Sequence, residues 1–291
     1  MDDAQIKSLT TPSHAPVERR QFLFMSSCAV GYAAAAGPVS AQVITTSAEG
    51  LTAGEVKVAS LGVDIPAYRA HPAVGGPFPT VVVIQEIFGV HEHIKDVVRR
   101  FAKAGYYAIA PELYARQGDP SKIDEVPKLI SEIVSKVPDA QVGSDIDNAV
   151  AFAKASGKAD TAKLGVIGFC WGGRQVWLNT ARSPAFKAGA AWYGGFKGNP
   201  NPLQPKVAME VLKDNKVPVI GLYGGADAGI PLDMIDEAKA VLKAANSPSE
   251  IHVYPDTPHG FNADYRPSYR KDQATDAMAK TLAWFKKNGA G

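Results

Sequence analysis

Short apolar runs, amphipathic stretches between them and glycine-containing turns at their junctions predict an α/β fold. Its mostly parallel central sheet would carry helices on both faces. Residues 80–84, Thr80-Val81-Val82-Val83-Ile84, are the clearest of the runs. A run apolar without alternation reads as a strand buried on both faces. Upstream, residues 56–60 and 65–69 suit a strand pair joined by a turn at Gly62. Downstream, Ile94, Val97, Val98 and Phe101 recur at helical spacing and stop at Gly105. A strand over 107–110 is stopped by Pro111, and Ile130, Ile133 and Val134 suit one helix. Ile146, Val150 and Phe152 suit a second helix, ending near Gly157. Residues 164–169 are a strand running straight into a turn, followed by strands over 188–193 and 217–223. The segment 194–205, rich in Gly, Asn and Pro, reads as a loop. A helix over 232–245 and a strand over 251–254 precede a closing helix with Ala277, Met278, Leu282 and Phe285 on one stripe. No repeat and no interdomain linker interrupts the pattern, so residues 42–291 read as one domain.

The 291-residue chain is 46% hydrophobic and 21% charged, as globular proteins are. A net charge of +2 offers no broad basic field for nucleic acid. Residues 1–41 differ from the rest. Arg19 and Arg20 precede the apolar run 22–36, and Val39-Ser40-Ala41 forms a small-residue exit. This reads as a secretory signal, and the arginine pair followed by Phe22 and Leu23 resembles a twin-arginine export signal. The run is too short and too rich in Ala, Ser and Gly for a membrane span. A periplasmic or secreted protein beginning at Gln42, with no stable span after cleavage, is expected, with the export machinery as its partner through the signal. Of the two cysteines, Cys28 leaves with the signal and Cys170 remains. No internal disulfide can then form.

The strongest chemical signal is Gly168-Phe169-Cys170-Trp171-Gly172-Gly173. It has the form G-x-nucleophile-x-G where a buried strand meets a helix, the pattern of a nucleophile elbow. Asp227 then follows one strand and His259 another, giving the chain order nucleophile, acid, histidine. Both would sit at the carboxyl edge of the sheet, where α/β folds place ligands. His259 would be placed to accept a proton near Cys170, with Asp227 fixing its tautomer; whether it or Glu86 takes the thiol proton stays open at this point. These features specify an α/β-hydrolase. After the first central strand comes Gln85-Glu86-Ile87-Phe88-Gly89. In this fold that loop supplies one oxyanion-hole N–H, assigned to Ile87, with Trp171 supplying the other. His91 and His93 lack the Cys, Asp or Glu partners of a metal site and read as the start of the next helix. His71 reads as a loop residue and His252 as a solvent-facing one. Neither a metal nor a cofactor is called for.

Glu86, the cysteine elbow, Asp227 and His259 together resemble the dienelactone hydrolase family, as do residues 85–89 and Pro111-Glu112-Leu113-Tyr114-Ala115-Arg116. The similarity runs from about Leu61 to the C-terminus. The resemblance implies a lactone or ester hydrolase in which the thiol of Cys170 rests against Glu86 as its activating base. It implies a thioester intermediate, hydrolysed by water that His259 activates, and contact of Arg116 and Tyr114 with a substrate carboxylate. The family's second substrate arginine has no counterpart shortly after His259; Arg266 and Arg270 lie further on. Two other readings compete: a binding protein that kept the fold without turnover, and a thiol redox protein, which the lack of a second cysteine disfavours.

Overall fold

The structure is a computed structural model that describes residues 44–291. The export signal expected over 1–41 lies outside them. Eight strands form one sheet: β1 (Leu51–Ser60), β2 (Val63–Pro72), β3 (Phe78–Ile84), β4 (Tyr107–Pro111), β5 (Ala159–Phe169), β6 (Ala188–Trp192), β7 (Val219–Gly224) and β8 (Glu250–Tyr254). Their order across the sheet is β1-β2-β4-β3-β5-β6-β7-β8. β1 pairs with β2, and β2 with β4, antiparallel; every later pairing is parallel. The helices are α1 (Glu92–Lys103), α2 (Val126–Glu132), α3 (Asp139–Ala155), α4 (Trp171–Arg182), the single turn α5 (Ala208–Val211), α6 (Leu232–Ala244) and α7 (Lys271–Lys287). The α/β-hydrolase architecture read from the sequence is therefore present. Among the described residues, no helix is long and apolar enough to cross a membrane.

β3 sits between β4 and β5, and Val81, Val82, Val83 and Ile84 are fully buried, as a strand covered on both faces requires. Burying each such side chain is worth about 1.5–3 kcal/mol. Three expectations shift. β2 runs on to Pro72, so His71 is a buried strand residue whose Nδ1 lies 2.8 Å from the Pro72 carbonyl, not a loop residue. β5 starts at Ala159, because a register shift at Pro79/Thr80 lets β3 pair with two extra residues before the apolar run begins. On α7 the buried stripe is Ala274, Ala277, Thr281, Trp284 and Phe285, with Met278 and Leu282 only partly covered.

A buried ionic network ties the sheet's carboxyl edge to α1. Asp264 accepts from Arg100 at 2.7 Å and meets His93 at 3.1 Å. Asp96 accepts from Arg100 at 2.6 Å and from Arg99 at 3.2 Å. Each buried carboxylate thus has a cation, which offsets the cost of taking it out of water. The network anchors the loop that follows His259, so it belongs to the positioning of the site.

Candidate active site

Five chain segments converge at the carboxyl ends of β3, β5, β6, β7 and β8. The first is the bend between β5 and α4. Cys170 has φ 57° and ψ −115°, a left-handed conformation that non-glycine residues rarely adopt. The bend is this sharp because its flanks are glycines. A Cβ on Gly168 would run into the Gly172 carbonyl, and one on Gly172 would come within 2.5 Å of the Ile84 and Gln85 oxygens. The Cys170 N–H donates to the Trp192 carbonyl at 3.0 Å, locking the bend to β6. The thiol stands at the N-terminus of α4.

Asp227 lies on the loop after β7 and is buried. One carboxylate oxygen accepts from the Gly229 and Ile230 amides at 2.9 and 3.2 Å. The other meets His259 Nδ1 at 2.6 Å. The two loops can close because position 224 is glycine: a Cβ there would collide with the Thr257 carbonyl. Burial works against a charged imidazole at His259, but the Cys170 sulfur and the Asp227 carboxylate outweigh it. Together they push His259 up to about 10. Cys170, His259 and Asp227 are thus brought together in the order the sequence predicts.

Glu86 departs from expectation. The resemblance pairs it with the Cys170 thiol, whereas its Oε2 accepts from the Tyr265 hydroxyl at 2.5 Å, and His91 Nε2 lies 3.8 Å from the same oxygen. Burial alone would raise its pKa; the neighbouring His91 and the Arg266 guanidinium reverse that and hold the carboxyl far below the usual carboxylate range. The physical reason is charge balance: buried Arg266 needs an anion, and Glu86 supplies it. Replacing Glu86 by Gln keeps the shape and the Tyr265 contact but removes that anion. Destabilisation by about 3 kcal/mol is expected, read as a lower urea midpoint at an unchanged m-value.

Arg116 also departs. Its terminal nitrogens bind the Asp145 carboxylate at 2.8 and 3.0 Å and the Ser60 carbonyl at 2.7 Å. The guanidinium is thus engaged in an internal ion pair joining the 112–118 loop to α3 and β1, in place of the substrate contact expected of it. Tyr114 does border the site: its ring packs edge-on against Trp171 at 5.0 Å, and its hydroxyl is 3.5 Å from the Glu86 carbonyl. Ile87 and Trp171 are both buried beside the elbow. The Trp171 N–H, at the first position of α4, has no intrahelical acceptor and suits an oxyanion hole.

Three contributors escaped the sequence reading. Arg266 stands 4.5 Å from the Phe88 ring centroid and 5.1 Å from that of Tyr265. Tyr193, after β6, packs edge-on against the His259 ring at 5.0 Å. Tyr265 holds Glu86. Arg266 lay too far past His259 to match the family's second arginine, and Tyr265 belonged to no motif. The loop coils back through successive turns, Ala263 to Gly260, Arg266 to Ala263 and Tyr269 to Arg266, and returns them to the site. Among the described residues no group of three or more His, Cys, Asp or Glu side chains could hold a metal ion.

Comparison with known proteins agrees with this geometry. The profile of the dienelactone hydrolase family matches residues 65–289. A Methylorubrum extorquens protein provisionally named carboxymethylenebutenolidase is 55% identical over 288 residues, covering 99% of this chain and 98% of that one. An Escherichia coli K12 protein of the same provisional name is 46% identical, covering 89% of this chain and 96% of its own length. The crystal structure of a Klebsiella pneumoniae protein, provisionally named dienelactone hydrolase, superposes with a TM-score of 0.79 at 49% identity, covering 81% of this chain and 98% of that one. A cysteine elbow, the acid and histidine loops that face it, and relatives matching nearly end to end lead to one assignment: the chain belongs to the dienelactone hydrolase family and is a hydrolase of the carboxylic ester and lactone class.

Proposed function

We propose that this hydrolase opens a lactone or cleaves a small carboxylic ester through Cys170, His259 and Asp227, by way of a thioester. The observation that carries the reading is one imidazole bonded to a buried carboxylate at 2.6 Å, in the electrostatic reach of the sulfur on a strained elbow. Cys170 sulfur attacks the carbonyl carbon, and the charge that builds on the carbonyl oxygen is taken by the Ile87 and Trp171 N–H groups. The C–O bond breaks, the leaving oxygen takes the His259 proton, and an acyl thioester remains on Cys170. Neutral His259 then draws a proton from water. The hydroxide adds to the thioester, and the acid departs as the thiolate reforms.

His259, and not Glu86, takes the thiol proton in this reading. Support comes from the surroundings of each: the Cys170 sulfur raises the imidazole's proton affinity, while the Glu86 carboxylate is taken up by Tyr265. Thiolate reactivity separates the two candidates. Alkylation of Cys170 by iodoacetamide near neutral pH should stay within about threefold of wild type in Glu86→Gln and fall about 100-fold in His259→Ala. The reverse pattern assigns the proton to Glu86.

The relatives' name describes a carboxylated lactone as substrate. Arg266, buried and within the field of Cys170, supports an anionic substituent here and replaces Arg116 in that role. Tyr114 would border the bound substrate. A panel of lactones and small esters tests the class: carboxylated lactones turned over far better than neutral esters support the reading, and neutral esters alone refute the anion site. The competing reading, a binding protein without turnover, leaves the strained conformation of Cys170 without a purpose. We also propose that residues 1–41 direct twin-arginine export and that the protein acts in the periplasm or outside the cell. Changing Arg19 and Arg20 to Lys should leave uncleaved precursor in the cytoplasm; export with normal removal up to Ala41 would contradict the route.

A further inference from the structure

Tyr193 is fully buried, and its hydroxyl has no hydrogen-bond partner among the described residues. Buried hydroxyls are almost always paired, so an orphan of this kind needs an explanation. Its backbone is also unusual: φ is 38°, left-handed for a bulky side chain, and its N–H is fixed by the Leu222 carbonyl at 2.8 Å. That conformation turns the phenol inward, where Phe261 at 5.3 Å and the His259 ring at 5.0 Å hold it edge-on. Burial first, then the nearby Glu86 carboxylate, keep the phenol protonated. A neutral phenol in this place is a hydrogen-bond donor with nothing to donate to among the described residues.

We propose that the Tyr193 hydroxyl donates to the oxygen of the substrate's leaving group and carries part of its charge as the C–O bond breaks. The inference rests on the thioester reading above. In that reading the carbonyl oxygen is already provided for by the backbone N–H groups of Ile87, after β3, and of Trp171, at the elbow. The second oxygen to gain charge is the leaving one, and it must lie on the side of His259, the group that protonates it. Tyr193 packs against that same ring. No proton is transferred by Tyr193: it polarises the leaving oxygen while the imidazolium supplies the proton.

The test is Tyr193→Phe assayed against acetate esters graded from p-nitrophenol to a simple aliphatic alcohol. Losing one preorganised donor lowers the rate about 100-fold where leaving-group charge is fully developed. The loss in kcat/KM should therefore grow from a few-fold with p-nitrophenol to that size with the alcohol, steepening the dependence on leaving-group pKa. The thermal midpoint should be unchanged or higher, because an unpaired buried hydroxyl is removed. A loss that is equal for every leaving group, or absent, overturns the inference, as does a lower midpoint accompanied by a uniform loss, which marks a structural role. A retained nitrophenol burst in this variant shows the thioester chemistry intact. Failure of that chemistry itself would appear separately, as turnover in Cys170→Ala with Tyr193 in place.

Discussion

Cys170→Ala eliminates the nitrophenol burst and lowers kcat/KM for every ester and lactone by at least about 10⁴-fold, because removing the nucleophile of a triad leaves only the oxyanion hole and binding. The fold survives the change. Alanine keeps the same left-handed backbone that Cys170 adopts at φ 57°, and the cavity left is one sulfur atom beside a nearly closed surface. Stability should therefore move by no more than about 1 kcal/mol. A large loss of rate with a small loss of stability isolates the sulfur as the reacting atom. Cys170→Ser is informative beside it: the oxygen fits the elbow, but an alcohol is far less acidic than a thiol, so most of the loss should remain.

Asp227→Asn has the second-largest effect, about 10³-fold in kcat/KM, and it works through the tautomer. The Gly229 and Ile230 amides donate to one carboxylate oxygen and orient the group. Asparagine would keep its own oxygen there and turn its NH₂ toward His259 Nδ1. The imidazole must then accept at Nδ1 and carry its hydrogen on Nε2, facing the sulfur, where it cannot receive a proton. The change also alters the pH dependence of stability. His259 is held up to about 10 in the folded protein against roughly 6.5 when unfolded. A raised folded pKa means that the stabilisation is fully present below the unfolded value and is lost as pH climbs through the folded one. The stability gap between wild type and Asp227→Asn should thus be widest near pH 6.5 and shrink toward pH 10, as read by urea midpoints across that range.

The sequence made the frame of this site legible because the signals were local. Residues 80–84 form an unbroken apolar run, and the G-x-Cys-x-G pattern around Cys170 is contiguous in sequence, although the backbone that forces Gly172 to be glycine lies at Ile84 and Gln85. Asp227 and His259 followed from chain order along a parallel sheet, since the loops after β7 and β8 must emerge at the same edge. Side-chain partners were harder. Glu86 and Arg116 each have a charged neighbour far away in the chain, Arg266 and Asp145, and no spacing rule connects such pairs. Tyr193 carried no motif at all: its importance arises from a left-handed backbone and an orphan hydroxyl, which only coordinates reveal. Tyr265 and Arg266 were hidden by a loop that coils back on itself.

The measurement that bears most directly on the central claim is the mass of the enzyme quenched in acid during turnover of an aryl ester, followed by peptide mapping. The account predicts one added acyl group, carried on the peptide containing Cys170. Turnover with no acyl adduct, or with the adduct on any other residue, would contradict it.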